Sequence, residues 1–246
     1  MDEIRWLVDE RTAVEPADEE KFMRAEGGPA YLTRGRRKDP PVLALTLHDL
    51  VIHDVKKWFG EADLRLDALV VHGPGTKADP RCYQPKTFRF TGVKDGQRIG
   101  IDTGGLLLFY GQPRGFLAVS IAVSRDRGDS EDLAKMIADR AESPSLAKAI
   151  SQVAALATPA GMVSALSAAV DAAGVITSTA YQVIASVSGS TLGLYQTTWL
   201  PDRNNLGIGR HPATGTFPEN SSFADSSNWK VSFWYEIRAP EEESPA

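Results

Sequence analysis

One cysteine, Cys82, occurs in 246 residues. A lone thiol forms no intramolecular disulfide and no Cys-x-x-Cys metal knot, so the chain is expected in a reducing compartment rather than as a stapled secreted domain. Positive charge is scarce as well: 27 Lys and Arg face 32 Asp and Glu, for a net charge of −5, and that balance argues against a nucleic-acid partner. The first 26 residues carry nine acids and four bases and lack the basic, then apolar, make-up of a secretion signal, so a cytoplasmic location is expected. Long runs of large apolar side chains are missing too. The stretch from Ala149 to Val170 is uncharged for 22 residues, but eight of its fifteen apolar residues are alanine, and Pro159 and Gly161 interrupt it. Alanine contributes little to insertion compared with Leu, Ile, Phe or Val, so the run reads as a buried helical hairpin. The alternative is a segment that rearranges into a membrane, as in pore-forming effectors.

What is present describes a globular protein, since 42% hydrophobic residues allow a substantial core at this length. Residues 1–41 show no core-forming period beyond a short amphipathic stretch at Ile4, Trp6, Leu7 and Val8. They read as an acidic arm whose basic linker, Arg34 to Lys38, ends where Pro40-Pro41 stops regular structure. From Val42 the pattern has period two, with Leu43, Leu45 and Leu47 on one face against Ala44, Thr46 and His48 on the other, as in a half-buried strand. Strands are predicted at 42–54, 64–72, 86–93, 97–101, 105–110, 115–124, 175–187, 191–199 and 229–238. In the last of these Val231, Phe233, Tyr235 and Ile237 share one face, leaving Trp234 on a second surface. Asp95-Gly96 between Phe88/Phe90 and Ile99/Ile101 predicts a hairpin on a type I′ turn.

Residues 131–173 break the strand rhythm. Ser130, Ser143-Pro144 and Thr158-Pro159 supply helix starts, apolar residues recur at helical spacing, and Gly174 offers a stop. Between 200 and 228 lies an irregular segment longer than usual connections, and residues 239–246 read as a disordered tail. The expectation is a mainly β domain over 42–238 with a helical insert at 131–173.

Leu45 to Val71 reads as a strand, a loop bearing Gly60 and Asp63, and a second strand; Leu117 to Leu133 reads as a strand leading into an Asp-rich loop. In this order the chain resembles the opening and the sixth strand of C2 domains. That resemblance implies an antiparallel β-sandwich that docks on phospholipid through loops at one end, with calcium held by loop aspartates. The sequence departs from the family's pattern at the ligands. Lys57 stands at the first-loop aspartate position, Leu64-Arg65 replaces Pro-Tyr, and Arg125 and Arg127 fall on the Asp-x-Asp positions. Calcium takes six to eight oxygen ligands, so no metal is expected and no cofactor either; a shift of one residue would instead gather Asp126, Asp129 and Asp132.

Trp58 and Phe59 follow Lys56 and Lys57 directly, and rings beside ammonium groups suit a membrane interface or a protein hot spot; one or both rings serving as a plug at the end of the sandwich is the more ordinary role. Arg203, Asn204, Asn205, Arg210 and His211 would arm a recognition loop for an acidic partner or peptide. Catalytic patterns are thin. His48 and His53 fall on opposite faces of one strand by odd spacing, Cys82 and His72 lack a surrounding signature, and Gly73-Pro74-Gly75-Thr76-Lys77 is a turn without phosphate-loop spacing. The sequence therefore predicts a non-enzymatic module that docks on a partner protein or membrane surface through sandwich-end loops. A membrane-active effector and an enzyme with an unfamiliar site are the alternatives.

Overall fold

The computed structural model describes residues 41–57, 60–74, 81–157, 162–201, 205–213, 221–223 and 230–239, so the expected N-terminal arm and acidic tail lie outside the described residues. Leu43, Leu45 and Leu47 are fully buried while Ala44, Thr46 and His48 are not, and this alternation orients the first strand. The described strands are β1 (Leu43–Ile52), β2 (Ala62–Gly73), β3 (Tyr83–Val93), β4 (Gln97–Arg98), β5 (Leu106–Gly111), β6 (Arg114–Arg125), β7 (Thr191–Trp199), β8 (Gly209–Ala213), β9 (Ser221–Phe223) and β10 (Val231–Arg238). Between β6 and β7 come three helices, α1 (Leu133–Ala138), α2 (Pro144–Ala154) and α3 (Met162–Val187).

These elements stack in three layers. An outer five-stranded sheet runs β4-β1-β10-β8, with β5 sharing the β4 edge of β1, and a central five-stranded sheet runs β3-β2-β6-β7-β9. All described pairings are antiparallel, so the protein is mainly β, a sandwich with added helices. Leu64, Leu66, Ala68 and Val70 of β2 join Leu45, Leu47, Phe233 and Tyr235 between the sheets. Leu69 and Val71 face the other way, onto Leu146, Val153, Ile176 and Val183 of the helices. Covered on both sides, β2 and β6 are buried almost without interruption, as strands with two covered faces should be.

Two polar residues interrupt the helix-facing side of β2. Arg65 and Asp67 are fully buried and paired twice, Nε to Oδ2 at 2.6 Å and Nη2 to Oδ1 at 2.7 Å. Arg65 also donates to Ser130 Oγ at 2.6 Å and to the Glu131 carbonyl at 3.2 Å. Thr87 completes the set by donating to Asp67 Oδ1 at 2.7 Å while accepting from the Leu133 N–H at 2.9 Å, which satisfies a donor at the start of α1. Arg89, directly opposite Arg65 across the β2–β3 pair, binds Asp126 and Asp132 of the same loop. The loop before the helices is thereby pinned to the central sheet.

The structure corrects three expectations. Residues 175–187 are not a strand: α3 runs through Gly174 to Val187. Ile176, Ala180, Val183 and Ile184 are buried at helical spacing against the central sheet, and that burial outweighs the roughly 1 kcal/mol by which an interior glycine disfavours a helix. The helical block therefore extends fourteen residues beyond 173. Asp95-Gly96 does not close a hairpin either, because β3 lies in the central sheet and β4 pairs with β1 in the outer one. Only Gly96 of the two has positive φ, and the Asp95 carboxylate instead accepts the Val55 N–H at 2.7 Å, so the turn carries the chain between sheets. Lastly, the 200–228 segment contributes β8 and β9, one to each sheet.

Asp67→Ala should leave the Arg65 guanidinium buried without its counter-charge, lowering unfolding free energy by about 3–5 kcal/mol in urea denaturation. The double change Arg65→Met with Asp67→Leu is expected to recover most of that loss, since it removes both charges together.

Candidate functional site

Alternate residues of β1, β8 and β10, with Leu107 and Tyr110 of β5, point away from the sandwich core. His48 and Trp234 are direct partners across β1 and β10, and their rings stack at 4.2 Å and 13°. From the opposite neighbour of β10, the Arg210 guanidinium lies 4.2 Å over the same indole, a cation–π contact. Strands on both sides of β10 thus hold Trp234. The close fit extends to Gly105 (φ +73°), where a Cβ would lie 2.7 Å from the His48 ring; a residue without a side chain is required there.

Glu236 stands opposite Thr46 on one side and Arg210 on the other, and pairs with Arg238 Nη2 at 2.6 Å. That hydrogen bond, opposed by partial burial, holds the Glu236 carboxyl below its ordinary value. Burial pushes His48 down, with Glu236 opposing and Arg238 and Arg210 reinforcing. The β5 side of the face adds Tyr110 and Leu107, 60% and 47% exposed.

Several predicted site residues can be placed. Lys56 and Lys57 are exposed on the β1–β2 loop; Lys56 Nζ donates to the Thr191 carbonyl at 2.9 Å and Lys57 Nζ to the Glu61 carbonyl. Trp58 and Phe59 lie outside the described residues, as do Arg203 and Asn204. Asn205 opens a turn in which Asn205, Leu206 and Gly207 all have positive φ. Arg210 points outward onto Trp234, whereas the next residue, His211, turns inward by strand alternation. Its ring lies 4.3 Å from Trp199 and 5.0 Å from Tyr235, and Nε2 donates to the Gly207 carbonyl. Of the predicted recognition loop, Arg210 is therefore the described residue that joins the outward-facing stack, exposed itself while His48 and Trp234 are half-buried.

The spacing argument for His48 and His53 also changes. A bulge with Asp49 at φ +53° breaks the alternation of β1, and His53 Nε2 bonds Ser232 Oγ at 2.8 Å on the Trp234 side of β10. Among the described residues no three His, Cys, Asp or Glu side chains gather to hold a metal ion. The Asp126 carboxylate is engaged by Ser130 and Arg89; burial opposes its charge, but Ser130, the Gly128 N–H and Arg89 outweigh that and hold its carboxyl below the usual range.

The nucleophile candidates are neighbours, the His72 N–H donating to the Cys82 carbonyl at 2.8 Å, but their side chains pack in different clusters. His72 packs edge-on against Phe109 between the sheets, while Cys82 lies among the helix-facing residues. Burial pushes the Cys82 thiol up to about 11, far from the reactive thiolate. Tyr195 and Tyr235 share a hydroxyl–hydroxyl bond of 2.7 Å deep in the core, where burial raises both phenols. No described helix is long and apolar enough to cross a membrane. No protein-family profile matches the chain, and no curated protein matches it.

Sequence reasoning placed Trp234 on a second surface, set His48 on the face of its strand away from Leu43, Leu45 and Leu47, and named Arg210. It missed Tyr110 and Arg238 and did not bring these residues together, because their association depends on strand register. Two outcomes are expected. The Cys82 thiol should resist a disulfide reagent at pH 7.5 in the folded protein and react fully in denaturant, as followed by absorbance. Burial lowers His211 below its ordinary 6.5, so the unfolded chain binds more protons, and stability is lost as pH falls below about that value. Thermal scans at pH 7.5 and 5.5 should show this loss, with a shallower dependence in His211→Gln.

Proposed function

We propose that this protein is a non-enzymatic binding module that docks on a partner protein through the exposed face of its outer sheet. The observation that carries this reading is the Arg210–Trp234–His48 stack, fixed in place beside exposed Tyr110 and Leu107. Trp, Tyr and Arg are the side chains that dominate binding at protein interfaces, and a stack already ordered before contact loses little entropy on docking. The distribution of reactive groups supports the same reading, since Cys82, Tyr195 and Tyr235 are sealed in the core. A lone buried thiol suits a reducing cytoplasm.

Exposure of Lys56 and Lys57 beside Trp58 and Phe59 favours a second reading, docking on an anionic membrane surface through the β1–β2 loop. This is the mode that the C2 resemblance implies without its calcium.

Cross-linking capture should separate the two. A partner retained by the wild type and by Lys148→Ser on α2, but released by Tyr110→Ser and Arg210→Ser, supports the sheet face. Capture unaffected by the face variants would exclude that face. Sedimentation with anionic vesicles that is lost in Lys56→Ser with Lys57→Ser would move docking to the loop. Far-UV circular dichroism should be unchanged in each variant.

A further inference from the structure

We infer that the exposed face of the outer sheet receives an extended acidic segment of its partner, with carboxylates at alternate residues seated on Arg210 and Arg238. This rests on the sheet-face reading of the binding module and specifies the chemistry of the partner.

Charge points to it first. Arg238 is 68% exposed but its partner Glu236 only 16%, so the face turns guanidinium, not carboxylate, toward an approaching surface. Arg210 is exposed as well, and among the described residues it has no carboxylate within ion-pair distance, lying on the Trp234 ring instead. A guanidinium held flat on an indole keeps its N–H edge available, and that planar fork matches a carboxylate in two parallel hydrogen bonds.

Spacing gives the second argument. Arg210 is the cross-strand partner of Glu236, and Arg238 is two residues further along the same face of β10. The two arginines are diagonal neighbours, a relation that sets Cβ atoms about 7–8 Å apart. An extended chain repeats its same-face side chains every ~6.6–6.8 Å. Acidic residues separated by one position meet both guanidiniums; adjacent ones point to opposite sides of their strand and meet one. An apolar residue two positions from a carboxylate shares its face, and Tyr110 and Leu107 on the β5 side are exposed to meet one. Two cations do not suit a nucleic-acid backbone on a chain of net charge −5, because backbone affinity grows with the number of phosphates neutralised.

Calorimetric titration of the full chain with three synthetic peptides tests this. One alternates glutamate with valine, one has the same composition with its glutamates contiguous, and one alternates lysine with valine. The alternating acidic peptide should bind about three- to fivefold more tightly than its contiguous isomer, and Arg210→Ser or Arg238→Ser should weaken it by a similar factor. Binding should decline from 50 to 300 mM salt, and Arg210→Lys should restore only part of the loss. Equal binding of the two acidic isomers, binding of the lysine peptide, serine variants that bind like the wild type, or no binding at all would each overturn the inference. So would anionic vesicles that depend on Arg210 while the peptides do not bind. If a partner still depends on Tyr110 and Arg210 in cross-linking capture while the peptides fail, the binding module stands and its acidic specificity falls.

Discussion

The architecture depends on a charge problem set by the register of β2 and β3. That register places Arg65 and Arg89 side by side on the face that the helices must cover. A guanidinium under a hydrophobic layer, as at Arg65, is costly without a fixed counter-charge and acceptors, and Arg89 beside it, although exposed, adds like charge that the same neighbourhood must offset. Asp67 supplies them for Arg65 from within the strand, and the loop after β6 supplies Asp126, Asp132 and Ser130. Because the same loop leads into α1, satisfying the arginines and starting the helical layer are one event. The three-layer arrangement follows from it.

Much of this was legible in sequence. Alternation in β1 and β10 reveals which side chains enter the core, and β6, apolar from Phe116 to Val123 except at Ser120, fits a strand covered on both faces. What escaped was information carried by other strands. The alternating polar residues Arg65 and Asp67 look like a solvent face until a loop more than sixty residues away is known to cover them. Val175 to Val187 contains many β-branched residues, a composition that suits strands, and its helical nature is decided by the central sheet beneath it. Asp95-Gly96 has hairpin chemistry, yet the flanking strands belong to different sheets. The outward-facing stack is the clearest case: Arg210, Trp234 and His48 come from three strands, and no local pattern joins them.

The two faces of β8 and β10 show how neighbouring residues acquire opposite roles. Arg210 and His211 are consecutive, but the first lies on the half-buried, outward-facing indole of Trp234 and the second is enclosed by Trp199 and Tyr235. Inside, the tyrosine pair and His211 meet their polar needs with partners in the protein, as buried polar groups must. Outside, Arg210 has its charge only partly engaged. Core and surface chemistry are divided by strand pleating alone.

The pairing of β1 with β10 also sets a timetable for the chain. His53 and Ser232 meet across 179 residues, and everything between them must be synthesised before the middle of the outer sheet can form. Topologies dominated by such distant pairings fold slowly. The hydrophobic side of β1, with Leu43, Leu45 and Leu47, must therefore wait beside a ribosome for its last neighbour, making this strand the segment most in need of protection during biosynthesis.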